Sequence, residues 1–375
     1  MKVPWDIDPH TKAKHAVYQR YLSKWFPIMI NGAYKGDVTY AEGFAGPGAY
    51  TDKSPGSPVI SLRSLRADDS IRMAAKSVRL LFVDKNPVCI RLLNEQIRNE
   101  AAPLAVADLQ KYGITVDIAQ GGCEPTLVDL LTRHQAWGKP MLVNLDTFGG
   151  AVSFDLIQRI AGNKSSEVIV TIQPQYFSRF AAVDDIEHGD RVFGSRDWRA
   201  VADQPADRKT RWLLEHYRDT IAAAGFTHVL DFELVDANGA ALYLVFGTSH
   251  DRGLQKMKEA MWEVDTYAGV GYRDPRDPGQ QTLEIEIDPK IAPLQRLVVE
   301  RLARYPRGQA TLLQIRKFAF YETVYKESQI EPAVLGLLAA GRVTRESGKS
   351  GHLGDWTETI SLPHDAAGVG AGTPS

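Results

Sequence analysis

The chain has 375 residues, 44% of them hydrophobic and 24% charged, with 31 Gly and 20 Pro, which excludes a collagen-like or wholly disordered chain. No apolar run approaches the roughly 18–20 residues that span a bilayer, and the opening MKVPWDIDPHTKAKH has no apolar signal core. Cys89 and Cys123 are too few for a disulfide framework or a four-cysteine metal site. The expectation is a cytoplasmic protein of two or three domains without a metal centre. Charge is uneven: residues 289–362 hold 11 Lys/Arg and 7 Asp/Glu, whereas residues 1–288 hold 33 and 38. A basic module behind an acidic body points to an anionic partner for the module.

Residues 12–30 space Val17, Tyr21, Leu22, Trp25 and Phe26 at helical intervals, which predicts an amphipathic helix broken near Pro27. DVTYAE (37–42) predicts a first strand running into a Gly-rich turn. RLLFVD (79–84) has the pattern of a buried strand ending in an acid, and PVCIRLLNEQIRNEA (87–101) predicts the next helix. GITVDIA (113–119), MLVNLD (141–146) and EVIVTIQ (167–173) predict three more strands. Strand–helix alternation of this kind implies a parallel sheet with helices on both faces. The polar stretch between Val183 and Asp219 is too long for a simple connection. It is expected to hold a helix with a lid or substrate-facing insertion, or else a solvated helix pair. THVLDFELVD (227–236) and AALYLVFGTS (240–249) are separated by Ala237, Asn238 and Gly239 and can only form an antiparallel hairpin. Five parallel strands closed by an antiparallel hairpin is the doubly wound α/β plan of class I S-adenosylmethionine (SAM) dependent methyltransferases.

RDPRDPGQQTLEIEIDPK (273–290) reads as a linker with one strand, and the domain boundary is placed near 285–292. Beyond it, IAPLQRLVVERLARY (291–305), ATLLQIRKFAFY (310–321) and EPAVLGLLAAG (331–341) predict three helices. RVTRESGKSGHLGDWTETISL (342–362) predicts two short strands around a Gly-rich tip. The expected organisation is a methyltransferase-like Rossmann domain over 1–285, a winged helix-turn-helix over 291–362 and a flexible tail over 363–375.

The motif with most chemistry in it is Glu42-Gly43-Phe44-Ala45-Gly46-Pro47-Gly48, where the first strand ends. Its glycines let the backbone turn tightly and approach a ligand closely. Gly43, Phe44, Gly46 and Gly48 are expected to line the amino-acid half of SAM, and Glu42 to take its ammonium directly or through water. An ordinary Gly/Pro turn is the plainer reading. Asp84, ending the second strand, is placed to accept from ribose hydroxyls, or to cap the helix that starts at Asn86-Pro87. Gly122 and Cys123, after the third strand, stand where such sites meet the adenine. Asn144-Leu145-Asp146-Thr147-Phe148-Gly149-Gly150 ends the fourth strand. Amino-group methyltransferases have an Asp/Asn-Pro-Pro-aromatic turn there, whose acid accepts from the target exocyclic amine and whose aromatic residue stacks on the base. Asp146 and Phe148 fit those roles, with Thr147 where a proline would stand, so a proline restored at 147 is expected to do no harm. A strand-end acid capping a helix beside a core Phe148 is the alternative. Lys14 and His15, near His10 and Lys12, are candidates for a phosphate or the SAM carboxylate. Tyr176, with Phe177 and Arg179, is a candidate for a substrate channel. Arg316, Lys317, Arg342 and Arg345 are candidates for phosphate contacts by the basic module, whose recognition helix is expected at about 329–340. His250 is expected to be structural.

WDIDPHTKAKHAVYQRYLSKWFPIM, YAEGFAGPGAY with the following PGSPVISL, LDTFGG, and LYLVFGTSHDRGLQKMKEAMWEVD together resemble the three-Cys-motif partner protein family, TcmP. The likeness runs over about 5–360, and the long opening and the Ser-His-x-x-Gly-x-x-x-Met block are its specific parts. The resemblance implies a methyltransferase-like fold with a C-terminal winged helix. It also implies a separate protein partner carrying three cysteines, of a type found with phage and mobile elements. The family motif at the fourth strand usually reads Asp-Pro-Phe-Gly, and Thr147 departs from it. Together these features lead to a SAM-dependent N-methyltransferase acting on a base amine of DNA or RNA. The competing reading is an inactive methyltransferase-fold adaptor that docks the three-cysteine partner onto DNA.

Overall fold

Pro9 opens the first helix, α1 (Pro9–Asn31), because its fixed φ and missing N–H suit a first helical position. The helix buries Val17, Tyr18, Tyr21, Leu22, Trp25 and Phe26, and it continues through Pro27. The computed structural model describes residues 3–32, 36–67, 77–147, 150–163, 165–181, 187–266, 269, 271–273, 291–346, 353 and 356–363. Phe148, Lys349, the expected boundary at 285–290, the strand expected within 274–290 and the tail beyond 363 lie outside the described residues. Two units divide the chain: Met1–Val264 with Val270–Leu283, and Asp265–Gly269 with Glu284–Ser375.

The first unit is built on β1 (Asp37–Glu42), β2 (Ser77–Asp84), β3 (Ile114–Gln120), β4 (Met141–Leu145), β5 (Ser166–Ile172), β6 (His228–Val235), β7 (Ala241–Thr248) and β8 (Gly271–Arg273). They form one eight-stranded sheet in the order β3-β2-β1-β4-β5-β7-β6-β8. Strands β1 to β5 run parallel to one another, β7 is antiparallel to both β5 and β6, and β8 is parallel to β6. This is the α/β methyltransferase plan, with β8 added at the edge. Strands β4, β5 and β7 are buried along their whole length, as strands covered on both faces are. The helices between them are α2 (Ser57–Arg66), α3 (Pro87–Ala101), α4 (Cys123–Arg133), α5 (Phe154–Ala161), α6 (Pro174–Ser178), α7 (Glu187–Phe193), α8 (Lys209–Ala223) and α9 (Asp251–Val264). Strand order reverses between β1 and β4. In such sheets the crevice outside the carboxyl ends of those strands is where ligands sit.

The polar stretch ahead of α8 is anchored at Trp198, although most of its described residues between 194 and 208 are exposed or half-buried. Trp198 is fully buried, stacks on Phe193 and meets Phe177 edge-on. Its indole N–H donates to Asp190 at 2.9 Å.

The second unit has α10 (Ala292–Ala303), β9 (Gln309–Thr311), α11 (Leu312–Glu322), α12 (Ile330–Ala339), β10 (Thr344–Arg345) and β11 (Thr359–Ser361). Its sheet runs β10-β11-β9, antiparallel throughout. Strand β9, ahead of the second helix, is an element the apolar pattern does not announce, since only Ala310 of its three residues is buried. Thr311 and Gln314 form a capping box that starts α11.

Candidate functional site

The turn after β1 takes its shape from two left-handed glycines, Gly46 at φ 66° and Gly48 at φ 77°. Gly43 has a different reason to be glycine: a Cβ there would overlap Cys123 Sγ and lie 3.0 Å from Leu145 Cδ2. The Gly43 N–H donates to Asn144 O at 3.1 Å and the Ala45 N–H to Val83 O at 2.9 Å, so the turn is tied to β4 and β2. Asp84 completes the tie. Its Oδ2 accepts the Gly46 N–H at 2.8 Å and its Oδ1 accepts the Asn86 N–H at 2.7 Å.

Glu42 lies behind the turn, 1% exposed. Its Oε1 accepts from the Tyr40 hydroxyl at 2.8 Å and its Oε2 from the Ser57 hydroxyl at 2.7 Å. Burial pushes the carboxyl up to about 8, against the hydrogen bonds from Ser57 and Tyr40 that favour its charge. Glu42 is therefore largely protonated at neutral pH.

A cavity of about 190 Å³ opens in front of the turn. It brings together Lys14, His15, Phe44, Gly46, Gly48 and Asp146, which are drawn from α1 and from the ends of β1 and β4. The Lys14 ammonium forms an ion pair with Asp146 Oδ2, and the Thr171 hydroxyl donates to Asp146 Oδ1 at 3.0 Å. Burial raises the Asp146 carboxyl, but the Lys14 charge and hydrogen bond outweigh it and leave it below the usual range. Burial, and then the Lys14 charge, push the His15 imidazole down to about 3, so it is neutral. The cavity thus presents Asp146 already paired with a cation, and Asp6 and Asp8 line it as further acids.

Trp5, Asp8, Tyr50 and Gln173 also line this cavity, and residue-by-residue reading missed them. The Trp5 carbonyl accepts the Thr51 N–H at 3.1 Å, and the indole lies 3.7 Å from where a Gly46 Cβ would be. Residues Trp5 to Asp8 thus reach the glycine turn. The signal was an aromatic residue among acids just before a helix, inside a block of sequence already marked as specific.

No protein-family model and no curated protein matches this chain. Solved structures resemble it in fold at low identity. A human methyltransferase 10 domain containing protein is 7% identical over 63% of this chain and 83% of its own, with a TM-score of 0.33. Trm1 from Pyrococcus horikoshii, solved with S-adenosyl-L-methionine, is 12% identical over 65% and 58%, at 0.34. Protein LPL1258 of Legionella pneumophila is 11% identical over 67% and 90%, at 0.37. Likeness this distant speaks to neither substrate nor activity.

The other expected residues are placed as follows. Gly122 precedes α4, and nothing lies within 4 Å of where its Cβ would be. Cys123 is packed in the apolar core, and burial pushes its thiol up to about 12, so it is an inert packing group. Thr147 builds the turn after β4. Its N–H donates to Thr171 Oγ1 at 2.9 Å, and its hydroxyl donates to Thr171 O at 3.0 Å and accepts the Ala151 N–H at 2.7 Å. The expectation that proline is harmless at 147 is corrected by these bonds, because proline carries neither the N–H nor the hydroxyl. Tyr176 is 43% exposed on α6, with Phe177, Phe180 and His188 rings around it. His188 Nε2 lies 2.9 Å from Gly150 O, which joins this aromatic cluster to the segment after β4.

In the second unit the four basic candidates separate. Lys317 and Arg342 are exposed. Arg316 pairs with Glu327, and its guanidinium lies 4.3 Å from the Trp356 ring centroid. Arg345 is buried on Glu358 at 3.0 Å, with side chains 7% and 8% exposed. The charge of Arg345 is thus taken up inside the unit, which corrects its place among the phosphate candidates, whereas Arg316 is paired yet about a third exposed.

Proposed function

We propose that the chain is a SAM-dependent N-methyltransferase acting on an exocyclic amine of a nucleic-acid base. The observation that carries the reading is the convergence, at the strand-order reversal, of a left-handed glycine turn and a strand-end carboxylate on one cavity. The residues fit the cofactor in kind. Gly46 leaves a cradle beside Trp5 that a larger side chain would fill, Lys14 offers a cation for a carboxylate, and Asp84 and Gly122, at the ends of β2 and β3, are the candidates for ribose and adenine. Phe44 adds to that lining, and Glu42 shapes the turn from behind. SAM supplies an electrophilic methyl group when bound. What the chain's residues do is orient. Asp146 accepts from the substrate amine and directs its lone pair, Thr171 and Thr147 fix Asp146 in place, and Phe148 and Tyr176 stack against bases. The rate advantage is therefore one of proximity and orientation.

The second unit has the order helix–strand–helix–helix–strand–strand of a winged helix, and it holds the polymer. Helix α12 is apolar and buries Ile330, Ala333, Val334 and Leu337, so contact is made by exposed Lys317 and Arg342 to the backbone rather than by base readout. The resemblance to the three-Cys-motif partner family adds a three-cysteine protein as a working partner.

Transfer of labelled methyl from SAM to single-stranded DNA, duplex DNA, RNA and the three-cysteine partner tests the reading. Incorporation into nucleic acid that Asp146→Ala abolishes while SAM still binds is the expected result. SAM binding without transfer to any of the four gives the adaptor reading precedence.

A further inference from the structure

The Lys14–Asp146 pair covers the very group the proposed chemistry needs. Asp146 ends β4 on the cavity wall, with Lys14 on one oxygen and the Thr171 hydroxyl on the other. The Lys14 and Asp146 side chains are 6% and 14% exposed. A pair so shielded is held more firmly than one in open water. An incoming amine cannot take Asp146 alone, because that would strand a buried ammonium, and an uncompensated buried charge is strongly destabilising. Nearby groups do not relieve it. His15 is neutral and Glu42 is largely protonated. Asp6, which accepts from the Thr51 hydroxyl, and Asp8 are the remaining acids on the lining, and a swing of Lys14 to either is the alternative the experiment has to separate.

We propose that Lys14 is an oxyanion-operated latch on Asp146: a carboxylate or phosphate entering the cavity takes the ammonium and leaves Asp146 free for the substrate amine. The exchange conserves charge inside the cavity, one ion pair being replaced by another, with no bond made or broken. The oxyanion has two sources, the carboxylate of an α-amino-acid end such as the cofactor carries, or the phosphate of a nucleotide. The carboxylate source rests on the methyltransferase reading, and the phosphate source does not. Lys14 acts through Asp146 and is a positioning residue.

The experiment is calorimetry on the full chain with two ligand pairs that differ in the oxyanion: S-adenosylhomocysteine against 5′-methylthioadenosine, and adenosine 5′-monophosphate against adenosine. The latch predicts that the wild type prefers the oxyanion-bearing member of at least one pair by about 10–100-fold, the range of a charge-assisted hydrogen bond. Lys14→Met loses the preference, and Lys14→Arg keeps most of it. Asp146→Asn is the sharper variant. It releases Lys14, so oxyanion affinity rises several-fold, whereas a purely structural pair gives a loss. Melting curves on each variant establish that it is folded. Equal affinity within both pairs in the wild type, or a preference untouched by Lys14→Met, overturns the latch. If the two thioether nucleosides bind equally well, the carboxylate arm fails while the cofactor reading stands. If neither binds but the phosphate preference depends on Lys14, the latch stands and the cofactor reading fails. Absence of binding by all four overturns both.

Discussion

Asp84 holds Gly46 in place: its Oδ2 accepts the Gly46 N–H at 2.8 Å while its Oδ1 accepts the Asn86 N–H at 2.7 Å. One carboxylate thus fixes both the glycine turn after β1 and the start of α3. Hydrogen bonds to a charged group contribute about 1.5–3 kcal/mol each, less where water competes. Asp84→Ala is expected to cost about 1–3 kcal/mol of stability with no ligand present, read from urea unfolding. An Asp84→Ala chain as stable as the wild type would leave the carboxylate to a ligand alone.

Gly43 is bound to its place by packing. Its Cβ would meet Cys123 Sγ and Leu145 Cδ2, and overpacking of this sort costs about 1–3 kcal/mol. Gly43→Ala should destabilise by that amount, and Gly43→Ala with Cys123→Ala should recover part of it. Additive losses in this double-mutant cycle would mean that the two residues do not share the space.

Thr147→Pro removes an N–H bond to Thr171 and two bonds of the hydroxyl. The expected loss is about 2–4 kcal/mol by unfolding, with methyl transfer falling along with it. A proline variant of wild-type stability would show that the turn does not depend on these bonds.

Glu42 gives the molecule a pH signature. Its folded carboxyl titrates near 8 against a usual 4.5, and Glu167, buried under the hydroxyls of Tyr21 and Thr248, is raised to about 7. A raised acid keeps its proton in the folded state where the unfolded chain has lost it, so stability falls as pH rises from about 4.5 to about 8. Glu42→Gln cannot ionise, and its stability relative to the wild type should climb across that window and level off above it. A difference that is flat with pH would place an ordinary carboxyl at 42.

In the second unit, Arg345→Ala removes the cation from the shielded Glu358 carboxylate and should cost about 1–3 kcal/mol. Arg342→Glu and Lys317→Glu leave stability unchanged and weaken duplex DNA binding, with a salt slope shallower by about 0.9 for each phosphate no longer neutralised. Equal weakening of binding from all four basic positions, with stability unchanged, would contradict the pairing of Arg345 and Arg316.

The sheet was legible because its central strands are buried on both faces and read as apolar runs between turn residues; the span 37–42 matches β1 residue for residue. The five residues between β6 and β7 are too few for anything but a hairpin. The three-residue strand β9 was not legible, since one buried alanine carries no period. At the site, the glycine turn and Asp146 could be read from their places at strand ends. Trp5, Tyr50 and Gln173 could not, because each reaches the cavity from a segment whose own pattern has no bearing on the crevice. The Ser-His-x-x-Gly block had no visible reason until the structure supplied one. A Cβ at Gly253 would overlap Glu167 Oε1, and His250 Nε2 lies 3.1 Å from Ser165 Oγ, so the block packs around a buried acid from a distant strand.

The central claim is that the cavity in front of the glycine turn holds SAM, and calorimetric titration of SAM into the full wild-type chain tests it most directly. The predicted result is saturable binding at one site per chain, weakened at least tenfold when Gly46 is replaced by Val, whose side chain neither suits a positive φ nor leaves the cradle open. No binding of SAM up to millimolar concentration by the folded wild-type chain would contradict it.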